Sequence, residues 1–110
     1  MLYSFIIIKD RRGEPLGLYF VQTGTGPFVI AFSDQSKLAV VQWYVEQMLV
    51  EEGKGNEQAI ATVNVSTADE FKSYVASSDP GFADSVEFLL DSDPDASEII
   101  RIIREMQADQ

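Results

Sequence analysis

The sequence predicts an α+β fold, in which an antiparallel sheet of about four strands is covered by helices packed mainly on one face. The chain opens with three apolar, strand-like segments joined by short turns that contain glycine or proline, a pattern typical of an antiparallel meander. A long segment with apolar residues at helical spacing follows, and then a fourth strand-like segment precedes three helical ones. The predicted order of elements is β-β-β-α-β-α-α-α.

The four predicted strands are rich in β-branched and aromatic residues, which favour an extended backbone. They cover residues 2–9, 16–22, 27–32 and 58–65. Both alternating sets of side chains in residues 27–32 are apolar, which indicates a strand inside the sheet rather than at its edge. The segment Thr23-Gly-Thr-Gly26 leads into a strand and not into a helix, so it is predicted to be a hairpin turn rather than a phosphate-binding loop.

Helix boundaries are predicted from capping residues. Ser33 or Asp34 provides the oxygen that starts the first helix, and Gly53 ends it. Thr67 and Glu70 have the spacing of a capping box and start the second helix.

The segment that covers residues 82–91 fits two periodicities. Apolar residues recur in it at helical spacing after Asp79 and Pro80, which suit the start of a helix. Its second half also alternates as a strand would. We predict a helix here and retain the strand as the alternative. Asp93 followed by Pro94 predicts the start of the last helix.

Length and composition predict one domain, spanning residues 1–110. The chain has 45% hydrophobic and 24% charged residues, both ordinary for a globular protein, and no linker-like segment divides it. It contains no histidine and no cysteine, which removes the commonest general base, the commonest metal ligand and thiol chemistry. We therefore expect no enzymatic activity and no cofactor.

The net charge of −10 is unevenly distributed along the chain. Residues 1–56 hold six acidic and five basic side chains, a net charge of −1, whereas residues 57–110 hold twelve and three, a net charge of −9. Binding to nucleic acid or to anionic lipid is disfavoured, because both depend on clustered Lys and Arg. No apolar run has the length of a membrane span. A basic protein partner and a cytoplasmic location are the expectations.

Two groups of residues are candidates for contact with a partner. Seven acidic residues and no basic residue lie between Asp79 and Glu98, and this run is either a solvated face or a docking surface. Aromatic residues often anchor interfaces, and the first helix carries two adjacent ones. The candidate partner-binding residues are Trp43, Tyr44, Asp84, Glu87, Asp91, Asp93 and Asp95.

Asp91, Asp93 and Asp95 are also weak candidates for metal binding. They occupy alternate positions, as at the start of a calcium-binding loop. The rest of that pattern is missing, because the sixth position is not glycine and the twelfth is Ile102 rather than glutamate. Helix capping explains Asp93 and Asp95 without a metal ion.

These observations predict a small acidic intracellular module that acts by protein–protein contact, as an adaptor, assembly factor or inhibitor. Self-association stays open. The alternative is a small-molecule binding domain with an aromatic-lined cavity between sheet and helix. Its lining would come from Tyr3, Phe5, Phe20, Phe28, Phe32 and Trp43. A carboxylate-based enzyme is the third hypothesis, and it requires two acids that converge in a cleft.

Overall fold

The computed structural model describes residues 2–109 and confirms the α+β class. Six strands and four helices are found in this part of the chain. In chain order they are β1 (Tyr3–Asp10), β2 (Pro15–Leu18), β3 (Val21–Thr23), β4 (Gly26–Ala31), α1 (Gln35–Glu51), β5 (Gln58–Val65), α2 (Ala68–Ala76), α3 (Pro80–Ser85), β6 (Glu87–Leu90) and α4 (Pro94–Ala108).

The strands form two three-stranded sheets instead of the single sheet that was predicted. Sheet 1 has the order β2-β1-β5 and is antiparallel throughout. Sheet 2 has the order β3-β4-β6, and its β4 and β6 run parallel. One antiparallel bridge joins the sheets, where the backbone N–H groups of Ser4 and Phe32 each donate to the other residue's carbonyl, at 2.9 and 2.8 Å.

The predicted strand over residues 16–22 divides between the two sheets. Its first part pairs with β1, and the N–H of Tyr19 still donates to the carbonyl of Ile6, at 3.0 Å. From Val21 onward the chain pairs instead with β4, opposite Phe28. The segment around Phe20 is therefore the point at which an extended chain changes its hydrogen-bonding partner.

Helices cover both faces of the strands, which corrects the prediction of helices mainly on one face. An α1–α4 cluster packs Ile6 and Phe28 against both of these helices. An α2–α3 cluster packs Phe5 and Val29, which point the other way from the same two strands. The physical reason is that neighbouring residues of a strand point to opposite faces, and β1 and β4 are apolar on both.

The segment 82–91 is half helix and half strand. α3 ends at Ser85, and the backbone of Val86 is extended. β6 then pairs in parallel with β4, from Phe28 opposite Glu87 to Ala31 opposite Leu90. The prediction of a helix is therefore wrong beyond Ser85. The residues after Val86 form β6, which supplies hydrogen-bond partners to the backbone groups on one edge of β4.

Most of the predicted helix boundaries are confirmed. The side chain of Asp34 accepts from the N–H of Ser36 at 2.9 Å, and Gly53, with φ of +74°, follows the end of α1. The hydroxyl of Thr67 accepts from the N–H of Glu70 at 3.2 Å, and Asp79 caps α3.

Asp93 precedes α4 as predicted, but its side chain makes no capping hydrogen bond to that helix. Its Oδ2 accepts instead from the N–H of Leu90, at 2.8 Å. The predicted hairpin turn is confirmed, since Thr23 pairs with Gly26 at the junction of β3 and β4. None of the helices within residues 2–109 combines the length and the apolar content that crossing a bilayer requires.

Candidate functional site

Exposed apolar side chains are concentrated around Phe20. Six large apolar residues are exposed in the described part of the chain. Four of them, Leu16, Phe20, Ile102 and Met106, line two grooves that meet at Phe20. Two adjoining apolar grooves of this kind mark a binding site more often than isolated surface residues do. We refer to the two grooves and the residues that line them as the Phe20 surface.

Groove 1 lies between β2 and the α2–α3 segment and has a volume of roughly 480 Å³. The ring of Phe20 contacts the ring of Phe82, with centroids 5.1 Å apart. Leu16 and Leu18 of β2 line it together with Tyr74 of α2. Among the described residues, Asp79 is the single acidic one that lines this groove.

Groove 2 lies on the other side of Phe20 and has a volume of roughly 280 Å³. One wall is formed by Tyr44 and Met48 of α1, and the other includes Ile102 and Met106 of α4. The rest of the lining consists of Tyr19, Phe20, Val21, Gln22, Ile99 and Ile103. No acidic or basic side chain lines this groove among the residues that the structure describes.

The hydroxyl of Tyr19 is held in its neutral form. Burial, and to a smaller extent the neighbouring Tyr44, raise the pKa of Tyr19 to about 12. A phenol needs a lowered pKa to act as a base near neutral pH, and Tyr19 is shifted the other way. Its place in groove 2 is therefore suited to packing and hydrogen bonding.

Acidic side chains border groove 2 along α4. At about 100° per residue, Asp95, Glu98 and Glu105 all point within about 60° of Ile102. Arg101 lies between two of them: its Nε donates to Glu98 at 3.1 Å and its Nη1 donates to Glu105 at 2.6 Å. The hydrogen bonding of Arg101 to Glu98, together with the positive charge of Arg101, holds the pKa of Glu98 below its usual value. The border carries three acids and one neutralising base.

No family model matches the chain, and no curated protein or solved structure is significantly similar to it. What the grooves bind must therefore be inferred from their own shape, polarity and charge.

The two aromatic candidates of α1 lie in different surroundings. Both are half-buried and pack against the α1–α4 cluster. Tyr44 also lines groove 2, whereas Trp43 lines neither groove. The 100° between neighbouring helical positions separates their directions, as expected. Tyr44 is the one that belongs to the Phe20 surface.

Asp91 does not belong to any acidic surface, which corrects its place among the candidate residues. Its side chain is 2% exposed. Oδ2 accepts from the N–H groups of Ser33 and Asp34, both at 3.0 Å, and Oδ1 accepts from the hydroxyl of Ser33 at 3.2 Å. The carboxylate thus connects the end of β6 to the start of α1. It is turned toward the interior of the protein.

The other acidic candidates are spread over three elements and a loop. Asp84 on α3, Glu87 on β6 and Asp95 on α4 are exposed, while Asp93 is half-buried and bonded to the N–H of Leu90. Within residues 2–109, no group of three acidic side chains is arranged to hold a metal ion. Of the five acids, only Asp95 points toward the border of groove 2.

The two alternative sites of the sequence analysis do not form as expected. Phe28 and Phe32 are buried on the α1–α4 side of the strands and Phe5 on the α2–α3 side, so these aromatic rings cannot line one cavity. Phe20 lies in the grooves instead. Groove 1 is lined by one carboxylate, that of Asp79, and the described lining of groove 2 contains none. Within residues 2–109, neither groove is lined by two acidic side chains.

Three of the four exposed apolar residues of the surface, Leu16, Ile102 and Met106, had no place in the predicted site. Ile102 and Met106 are exposed on α4, and neither was assigned to a site. Leu16 was assigned to a strand alone. The sequence does contain a signal for an exposed apolar surface on α4. Five apolar residues lie between positions 99 and 106, which is more than one core-facing stripe of a helix needs.

Proposed function

We propose that this chain is a small acidic protein–protein interaction module that binds its partner through the Phe20 surface. The observation that carries the proposal is the clustering of exposed apolar residues: four of the six in the described chain line the two grooves at Phe20. Interfaces are typically built from such an apolar centre with a polar rim.

The charge of the chain supports a partner with basic groups. The net charge of −10 comes almost wholly from residues 57–110, which include α2, α3 and α4 beside the grooves. Complementary charge accelerates encounter and selects among partners. The same charge disfavours nucleic acid and anionic lipid. We propose action in the cytoplasm by contact and without catalysis.

A comparison of two surface variants tests the proposal. Phe20→Ser removes the residue that both grooves share, and Val50→Ser changes an apolar residue of α1 that is 65% exposed and lines neither groove. Each variant is immobilised beside the unchanged protein and incubated with lysate, and retained proteins are identified by mass spectrometry. Circular dichroism establishes that both variants are folded.

We expect a stoichiometric partner that the unchanged protein and Val50→Ser retain equally and that Phe20→Ser loses. Phe20 is an aromatic residue at the centre of the surface, and such residues dominate binding energies. Equal retention by Phe20→Ser would contradict the proposal, because binding would then take place elsewhere.

Groove 1 supports a second candidate function, the binding of a small apolar ligand. Its volume of roughly 480 Å³ lies in the range of ligand sites, and aromatic and aliphatic side chains dominate its lining. A thermal-shift screen distinguishes this candidate. A ligand that raises the melting temperature of the unchanged protein but not that of a Phe82→Ser variant would favour it.

A further inference from the structure

We infer that groove 2 binds a cationic amphipathic helix of a partner protein. This inference rests on the proposed function and specifies the partner's chemistry. The walls of the groove are two helices, α1 and α4, with the extended chain from Tyr19 to Gln22 beside them. Docking of one amphipathic helix in a hydrophobic groove is a common mode of peptide recognition.

The spacing of the lining residues suits the side-chain rows of a helix. Each wall contains lining residues four positions apart, Tyr44 and Met48 on α1 and Ile102 and Met106 on α4. Residues four apart on a helix lie about 5–6 Å from each other, and such rows accommodate the side-chain rows of another helix. Methionine on both walls adds adaptability, because its unbranched side chain fits different apolar surfaces.

The charge along α4 determines which helix fits. Asp95, Glu98 and Glu105 point close to Ile102, whereas Arg101 lies about 100° and Arg104 about 200° from it. The border of the groove is therefore negative even after Arg101 neutralises one acid. A bound helix would place apolar residues in the groove and Lys or Arg residues along this border. A second copy would present its own acids to these acids, so self-association through α4 is disfavoured.

Three synthetic peptides of 18 residues serve as probes. The first contains leucine and lysine, with the leucines spaced to form one face of a helix. The second has the same composition with the leucines dispersed around the helix. The third keeps the spacing and replaces lysine by glutamate. Each is titrated into ¹⁵N-labelled protein at low salt, and binding is followed through amide chemical shifts.

We expect the first peptide to shift the amides of Tyr44, Met48, Ile102 and Met106, and the other two to bind at least about tenfold more weakly. Loss of the leucine face removes the groove contact, and glutamate places like charges together. Equal binding of the dispersed or the glutamate peptide, or shifts confined to other elements, would overturn the inference.

Two variants of one ion pair provide the sharper test. Glu105→Gln and Arg101→Gln both remove the hydrogen-bonded pair between these two residues on the exposed face of α4, and Arg101→Gln also removes the bond from Arg101 to Glu98. For the leucine–lysine peptide we expect Glu105→Gln to weaken binding and Arg101→Gln to strengthen it, each by roughly two- to fivefold at low salt. High salt should reduce both differences.

A purely structural effect of losing the pair would move both variants in the same direction, and that result would overturn the inference. The experiments also distinguish failure of the cationic-helix inference from failure of the proposed function. If capture of a partner depends on Phe20 but the leucine–lysine peptide does not bind, only the cationic helix is wrong, since Phe20 also lines groove 1. If capture of the partner is independent of Phe20, the proposed function is wrong as well.

Discussion

Replacing Asp91 by alanine tests whether its carboxylate holds the end of β6 against the start of α1. The side chain is 2% exposed and accepts three hydrogen bonds, from the N–H groups of Ser33 and Asp34 and from the hydroxyl of Ser33. Alanine removes all three and leaves a small space. Asparagine keeps one oxygen in place for the two backbone donors.

The expected loss follows from these contacts. A hydrogen bond to a charged group contributes about 1.5–3 kcal/mol, and three of them share one carboxylate. Ser33 and Asp34 are themselves exposed, so water recovers part of the loss. We expect Asp91→Ala to lower the free energy of unfolding by about 3 kcal/mol and Asp91→Asn by about 1 kcal/mol.

Urea denaturation followed by circular dichroism measures both values. With a urea dependence of about 1.5 kcal/mol per molar, the alanine variant should unfold at roughly 2 M less urea. Asp95→Ala is the control, because this exposed residue in the first turn of α4 should contribute less than about 1 kcal/mol. An alanine variant within about 0.5 kcal/mol of the unchanged protein would refute the reasoning.

Three further predictions concern single side chains. Because burial raises the pKa of Tyr19 to about 12, the unfolded chain should lose this proton first as the pH rises above 10, so stability should fall between pH 10 and 12 by roughly 2–3 kcal/mol. The Tyr19→Phe variant should lack this part of the fall in stability. Identical falls in the variant and the unchanged protein would contradict the prediction. Thr67→Ala should cost about 1 kcal/mol in urea denaturation by removing the cap of α2, whereas no change would show that this hydrogen bond is unimportant. Phe71 is 0% exposed and its ring centroid is 4.9 Å from that of Phe5, so Phe71→Ala should cost about 3–5 kcal/mol in the same assay, and a loss below about 1 kcal/mol would contradict this packing.

The sequence predicted local structure correctly at positions where a residue type has one well-defined structural role, such as capping a helix. Asp34, Thr67 and Asp79 cap helices as expected, because a short acceptor side chain before a helix satisfies its free N–H groups. Gly53 ends α1 with a positive φ that other residues rarely adopt. The apolar character of both sides of β4 was also visible, and it is why helices cover both faces.

Pairing partners could not be predicted from the same patterns. Leu18 packs in the α2–α3 cluster, and Tyr19 and Val21 pack against the other, so the alternation of faces continues through residues 18–21. Alternation reports the face on which a side chain lies, but it does not report which strand lies alongside. The chain exchanges β1 for β4 as its pairing partner at Phe20, and this exchange leaves no signal in the periodicity. Residues 16–22 were therefore predicted to form a single strand.

The candidate site was predicted only in part for a related reason. Tyr44 was identified because aromatic residues favour interfaces, and it does line groove 2. Asp91 was assigned to the surface by its charge, whereas its burial depends on two N–H groups that lie 57 and 58 positions away in the chain. Long-range hydrogen bonds of this kind decide whether an acid is buried, and composition does not reveal them.

The parallel pairing of β4 with β6 has a consequence for the order of folding during synthesis. Phe28 pairs with Glu87, so sheet 2 joins residues 59 positions apart in the chain, and the segment between them contains α1, β5, α2 and α3. Sheet 1 needs only the chain up to Val65. A ribosome that adds about 5–20 residues per second would leave the backbone groups on one edge of β4 unpaired for several seconds before β6 emerges. Over that interval sheet 1 is available to form first, and β4 is the segment most in need of protection by a chaperone.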